Sequence, residues 1–191
     1  GRDHFQHLSR QPESFILLSS HIGNYEVAGY TLVADKPLNA LVFSGEKESV
    51  MKSRHAMFSN KNIKMIPVME DMTHLFLINQ AIGRGEIVSM PADRVFGSTK
   101  TIGVSLLGAK ASLPMGPFSV ATMRGMKVLA VNVMKTSWNT YTIYVTPLLY
   151  DTNAPRKQQI SELATAYAAE TERILKLYPT QWYNFFDFWE S

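Results

Sequence analysis

Phe15-Ile16-Leu17-Leu18-Ser19-Ser20-His21-Ile22-Gly23-Asn24-Tyr25-Glu26 is the stretch on which the fold turns. Phe15 to Leu18 form a short apolar run of the length expected for a buried strand. A Gly-Asn pair then breaks the run. Asn24 suits a helix N-cap, and Glu26 falls in the first helical turn, where negative charge is favoured. His21 therefore leaves the end of a strand, and Glu26 opens the helix that follows. In open α/β sheets ligands bind at that seam. On one continuous helix the two side chains would point about 140° apart, so the break is what lets them meet. A carboxylate against an imidazole fixes its tautomer and supports the charge it gains on taking a proton. His21 and Glu26 are thus a candidate general base and the acid that orients it. The plainer alternative is a histidine hydrogen-bonded at a strand end, with Glu26 only favouring a helix start.

Outward from this seam, strand and helix patterns alternate without repeats. A helix ending near Arg10 precedes the first strand, 15–20, and a helix over 25–34 follows it. Strands are expected at 38–44, 64–68, 87–90, 103–107, 127–134 and 140–149. Helices are expected at 47–59, 70–84, near 118–124 and at 155–177. Leu75, Leu77, Ile78 and Ile82 make the apolar stripe of the 70–84 helix, and Gly85 is its expected C-cap. In 140–149, Tyr141, Ile143 and Val145 share a face. The alternation predicts an α/β fold, a single domain over 1–191 with a mixed, mostly parallel sheet flanked by helices.

The 191 residues suit one domain with a sizeable core. No run of about 18 apolar residues is present, so no transmembrane helix is expected. The polar N-terminus, with His4 and His7, does not read as a signal peptide. With no cysteine, the chain has no disulfide, no thiolate zinc site and no cysteine nucleophile; that is compatible with the cytoplasm. The net charge of +3 fits an acidic partner or an anionic membrane surface, although solubility alone explains it more simply. Lysine and arginine do not cluster densely, which argues against nucleic acid.

A second set of chemical residues follows the 87–90 strand. Asp93 and Arg94 should emerge at the same sheet edge as His21. Arginine offers a planar fork of donors for phosphate oxygens, so Arg94, with Lys100, is a candidate for a substrate phosphate; an Asp-Arg surface pair is the alternative. Lys47 and Arg54, on a helix with His55, are secondary candidates and read more simply as a solvated face. Met115, Met123, Met126 and Met134 would suit an acyl tunnel, though residue by residue ordinary core is the stronger reading. The tail from Trp182 to Trp189 is unusually aromatic, suited either to packing across the domain or to a membrane interface.

Several of these stretches share a resemblance. Ser19 to Glu26 resembles the first motif of the lipid A biosynthesis acyltransferases, His-x-Gly-Asn-aromatic-Glu, a variant of the His-x4-Asp/Glu of the wider glycerolipid acyltransferase group. Gly85-Glu86-Ile87-Val88 with Pro91 to Gly97 is similar to the family's second block, in which an aspartate precedes an aromatic-glycine pair. Leu107 to Ala111 and Met115 to Phe118 resemble the stretch that closes the acyl pocket, and Val128 to Val131 the strand after it. Tyr178 to Trp182 resembles the C-terminal Pro-x-Gln-Trp. The likeness spans roughly residues 14–190, with its blocks in order. Two places depart from it: Val95 stands where members usually carry a second acid, and Met69 to His74 offer no arginine.

The resemblance implies a glycerolipid acyltransferase-like fold and an O-acyltransferase that moves a fatty acyl group from an acyl thioester to a hydroxyl. Acyl-carrier protein is the implied donor, with acyl-CoA as the other thioester. A lipid or glycolipid is the implied acceptor. His21 and Glu26 take the catalytic roles, Asn24 shapes the turn, and Asp93, Arg94, Gly97 and Lys100 fall in the substrate site. No metal and no further cofactor is expected. The family carries an N-terminal membrane anchor, so the chain is expected at the cytoplasmic side of the inner membrane, as a peripheral member or a piece of a longer one. Two rival readings remain: a thioesterase or esterase using the same base on water, and a non-catalytic lipid- or acyl-carrier-binding module. The absence of a Gly-x-Ser-x-Gly elbow counts against a serine hydrolase.

Overall fold

The computed structural model describes residues 1–43, 62–69, 71–95, 100–185 and 187–189. The helix expected over 47–59, with Lys47, Arg54 and His55, and the Gly97 position lie outside the described residues. Helix α1 (Arg2–Ser9) leads into β1 (Phe15–Gly23), α2 (Glu26–Thr31), β2 (Leu38–Phe43) and β3 (Ile63–Val68). Then come α3 (Thr73–Gly83), β4 (Ile87–Pro91), β5 (Thr101–Leu106), β6 (Ala109–Pro114) and α4 (Met115–Thr122). Strands β7 (Lys127–Lys135) and β8 (Tyr141–Leu148), helix α5 (Arg156–Leu177) and a 3-10 turn (Pro179–Gln181) complete the chain.

Six strands form one sheet in the order β3-β2-β4-β1-β7-β8. All neighbours pair parallel except β8, which runs antiparallel to β7. The expected mixed, mostly parallel α/β sheet is therefore the observed one. Strand β1 lies at its centre with apolar side chains on both faces, as buried parallel strands require. Ile16 and Leu18 face a core shared with α3, α4 and α5. Phe15 and Leu17 face a second core, capped by Phe5 and Leu8 of α1 and by α2. From β1 the chain crosses to β2 on one side; from β4, its neighbour, it crosses to β7 on the other. Adjacent strands whose connections part in this way open a crevice at their C-terminal ends.

Several elements differ from expectation. Helix α2 is shorter than 25–34 and begins at Glu26; Asn24 is exposed and contributes no side-chain cap. Strand β1 instead runs on through His21 to Gly23. The 103–107 strand pairs with β6, which the sequence pattern did not show, in a separate antiparallel ribbon turned at Leu107 and Gly108. Leu107 to Ala111 therefore make that hairpin. Of the expected apolar stripe of α3, Ile78 is buried and Leu77 and Ile82 pack on the core, whereas Leu75 is exposed and Ala81 is buried in addition. Gly85 does follow α3 in the left-handed conformation, φ +71°, and a Cβ there would lie 2.2 Å from the Pro12 carbonyl oxygen. Only glycine fits, and it turns the chain directly into β4.

Candidate active site

The end of β1 is irregular in a way that aims His21. Its ladder with β7 runs in register to Ser19↔Val131 and resumes only at Gly23↔Val133. Ser20, His21 and Ile22 thus bulge opposite the single residue Asn132, and such bulges redirect a side chain. Side chains replace part of the lost ladder. The Ser20 hydroxyl donates to Asn132 Oδ1 at 3.1 Å, with both residues buried. Gly23 closes the bulge at φ +68°, where a Cβ would lie 2.1 Å from the Val133 carbonyl oxygen. The Asn24 amide then donates to that same oxygen at 2.8 Å.

The carboxylate on the imidazole is Asp93. It is buried just past β4, the strand beside β1. Its Oδ2 accepts the His21 backbone N–H at 2.7 Å, and its Oδ1 pairs with His21 Nδ1 at 2.8 Å. An ionised carboxylate can only accept. Asp93 therefore selects the tautomer with the proton on Nδ1 and leaves Nε2 as the basic nitrogen. The sequence spacing had given this contact to Glu26 and had set Asp93 among the substrate contacts. Five residues along one chain are no guide to a partner 72 residues away that sheet pairing brings alongside. Tyr25 lies edge-on to the imidazole, with ring centroids 5.5 Å apart.

A cavity of about 340 Å³ opens beside this pair. It runs between α2 and one face of the sheet, and His21, Tyr25, Glu26 and Arg94 are among its lining residues. The walls continue as Leu17, Leu32, Leu38, Val42, Met65 and Val131, and Ser19, Ala28, Gly29, Ala40 and Ser89 are the small residues that keep it open. Alternate positions 17-19-21 on β1, 38-40-42 on β2 and 89-91 on β4 give the wall its sheet face, and Ser20, Leu41 and Phe43 join them towards the strand ends. Glu26 thus shares the slot with His21. Arg94 also lines it and donates to the Tyr183 carbonyl oxygen at 3.3 Å. Lys100, exposed before β5, and Asn24 are not among the lining residues. Nor are Met115, Met123, Met126 and Met134: Met126 and Met134 are core, and Met123 is exposed.

The aromatic tail packs beside the same edge. Trp182 bridges to Ile22 of β1, and its ring meets Phe188 and Trp189 edge-on. The Gln181 amide grips the Lys135 backbone with both its oxygen and its nitrogen, at 2.9 and 2.8 Å. Among the described residues no helix is long and apolar enough to cross a membrane.

A sequence model of the bacterial lipid A biosynthesis acyltransferases matches residues 1–191, the whole chain. The chain belongs to that family. A search of curated proteins returns no match. The geometry beside which this family match stands is an imidazole fixed by a buried carboxylate next to an apolar slot. Tyr167 and Asn132, which hold the acyltransferase's bulged strand end, escaped the sequence reading. Tyr167 sits in a helical pattern and Asn132 in a strand pattern, and neither carries a local signal.

Proposed function

We propose that this acyltransferase moves a fatty acyl group from an acyl thioester, acyl-carrier protein first and acyl-CoA as substitute, to a hydroxyl of a lipid or glycolipid. His21 Nε2 removes the hydroxyl proton as the oxygen attacks the thioester carbonyl. The tetrahedral adduct collapses with cleavage of the C–S bond, and the imidazolium returns the proton to the departing thiolate. Asp93 holds Nδ1–H throughout and steadies the imidazolium. Glu26, in the same slot, sits with Arg94 where an incoming polar headgroup meets the reacting centre; Arg94 suits a phosphate, with Lys100 as a second candidate. The acyl chain takes the apolar slot, each buried methylene contributing about 0.8 kcal/mol. The steps need no cofactor beyond the thioester.

The carrying observation is the buried Asp93 on Nδ1 of a histidine that lines an apolar slot. Exposed aromatics on the same edge support a bilayer surface as the place of work. Trp138 is 89% exposed at the β7–β8 turn, and Phe185 is 90% exposed just past Tyr183. Such side chains partition into headgroup regions. The mild positive charge suits both an anionic cytoplasmic leaflet and an acidic carrier protein.

The test is product analysis by mass spectrometry with acyl-carrier-protein and acyl-CoA donors, with and without lipid acceptors. His21→Ala is expected to lower ester formation at least about a hundredfold with the fold intact, and Glu26→Ala to impair it comparably. An unchanged rate in folded His21→Ala defeats the mechanism. Free fatty acid as the sole product, with every acceptor offered, turns the reading to a thioesterase.

A further inference from the structure

Three elements meet at one backbone oxygen behind the site. The Ser19 carbonyl, two residues before His21, accepts the Ala92 amide at 3.0 Å and the Tyr167 hydroxyl at 2.8 Å. Ala92 directly precedes Asp93, so this oxygen ties the backbone carrying the base to the backbone carrying its carboxylate. Tyr167 reaches it from α5, 148 residues along the chain. Its ring is buried against Phe118, with centroids 5.7 Å apart. It belongs to the core on the α4–α5 face of the sheet, whereas the slot opens on the α2 face. Tyr167 is buried and does not line the slot.

We propose that Tyr167 is a positioning residue: by pinning the Ser19 carbonyl beside the Ala92 amide, it sets the spacing of His21 and Asp93 and so holds the imidazole tautomer from the far face of the sheet. The bulge makes this pin necessary. Past Ser19 the ladder with β7 breaks until Gly23 and the pairing with β4 ends at Ser19↔Pro91, so regular strand pairing no longer runs through the segment that carries His21. Each of the three residues from Ser19 to His21 is instead tied to a different element: Ser19 to Tyr167 of α5, Ser20 to Asn132 of β7, and His21 to Asp93 after β4. The Tyr167 tie also bears on the Asp93 turn, because the oxygen it binds is the one Ala92 uses. Burial, reinforced by the nearby Asp93 charge, raises the Tyr167 phenol well above its ordinary range, which keeps it a donor at every working pH. This role rests on the reading of His21 as the base.

The experiment compares Tyr167→Phe with Tyr150→Phe. Tyr150 gives its hydroxyl to the Met126 carbonyl, also at 2.8 Å, at the opposite end of the sheet. Both variants lose one oxygen and one hydrogen bond of 2.8 Å (Tyr150 also a longer contact of 3.4 Å to the Ala121 carbonyl), and both should lose comparable thermal stability. Ser19 keeps its Ala92 donor, so Tyr167→Phe leaves no orphaned acceptor. Tyr167→Phe is expected to lower kcat about tenfold with the KM for acyl donor within about twofold, whereas Tyr150→Phe keeps wild-type kcat. The ring 15N shifts of His21 are expected to show loss of the single Nδ1–H tautomer in Tyr167→Phe alone. Wild-type kcat and ring shifts in folded Tyr167→Phe overturn the proposal. If that variant fails to fold, 3-fluorotyrosine at position 167 keeps the shape and hydroxyl but alters donor strength. It should move the His21 ring signals, and unmoved signals overturn the proposal equally. The ring-shift measurement needs no turnover: an inert wild type whose tautomer still answers to position 167 defeats the acyl-transfer reading and leaves this one standing.

Discussion

Strand β4 carries a buried carboxylate just beyond each end, and the two have opposite fates. Glu86 precedes the strand and is surrounded by cations: Arg84 binds it through two nitrogens at 2.8 and 3.0 Å, Lys64 lies at 3.1 Å, and Asn39 donates at 2.9 Å. These partners, Arg84 foremost, hold its carboxyl down at about 2. Every lone pair is spent, and Glu86 does not line the slot beside His21. Asp93 follows the strand and takes one backbone N–H and one imidazole. Its ring partner keeps a second nitrogen for chemistry, beside an apolar cavity. A carboxylate saturated by permanent charges does structural service. One that shares a single proton-exchanging partner can serve a reaction.

The contrast is broken most severely at Asp93. Asp93→Asn would offer the imidazole an amide donor or a weaker acceptor, favouring the wrong tautomer. Acyl transfer should fall by roughly 10²-fold or more, with the KM for donor little changed. Steady-state kinetics check this; near-wild-type kcat would return the orienting role to Glu26.

A smaller effect is expected from filling the slot. Ala40→Leu adds bulk at a small position of the β2 wall, between α2 and the sheet. It should cut the rate with long-chain donors about tenfold while sparing short ones, since one lost methylene site is worth only about 1–3 kcal/mol of discrimination. Competition between donors of different length measures it; uniform loss across lengths would place the acyl chain elsewhere.

Least affected in activity should be Glu86→Gln. Its partners Arg84 and Lys64 are about half exposed, so the stability lost is about 1–2 kcal/mol, well short of a fully buried pair. Catalysis should stay within about twofold. The sign of its pH dependence follows from the lowered carboxyl. Its stabilisation is complete above the ordinary 4.5 and is lost as pH falls through about 2. Urea titrations from pH 5 to 2 should show that acid limb in the wild type and a weaker one in the variant. Identical limbs would assign it to other carboxylates.

Much of the fold could be read from single stretches. Phe15 to Leu18 read as a buried strand and Gly85 as a helix C-cap, and the structure shows both, because local sterics and burial decide such elements. Where a prediction missed, a tertiary contact prevailed. His21 was read as leaving the strand, but Val133, Asn132 and Ala92 carry β1 past it. Leu107 and Gly108 were read apart from any hairpin, because β5 alternates but Ala109–Pro114 does not, so the partner strand carried no local signal. The slot escaped the methionine count because its small residues, Ser19, Ala40 and Ser89, sit on three strands with nothing in common locally.

The sequence by itself determined that an imidazole would stand at the carboxyl end of a central strand, since apolar periodicity and a glycine turn are local and propagate without help from the rest of the chain. Which acid would face that imidazole was decided only when β4 paired with β1. Strand register sets side-chain neighbours to within one residue, and no local pattern encodes the register between segments 72 residues apart.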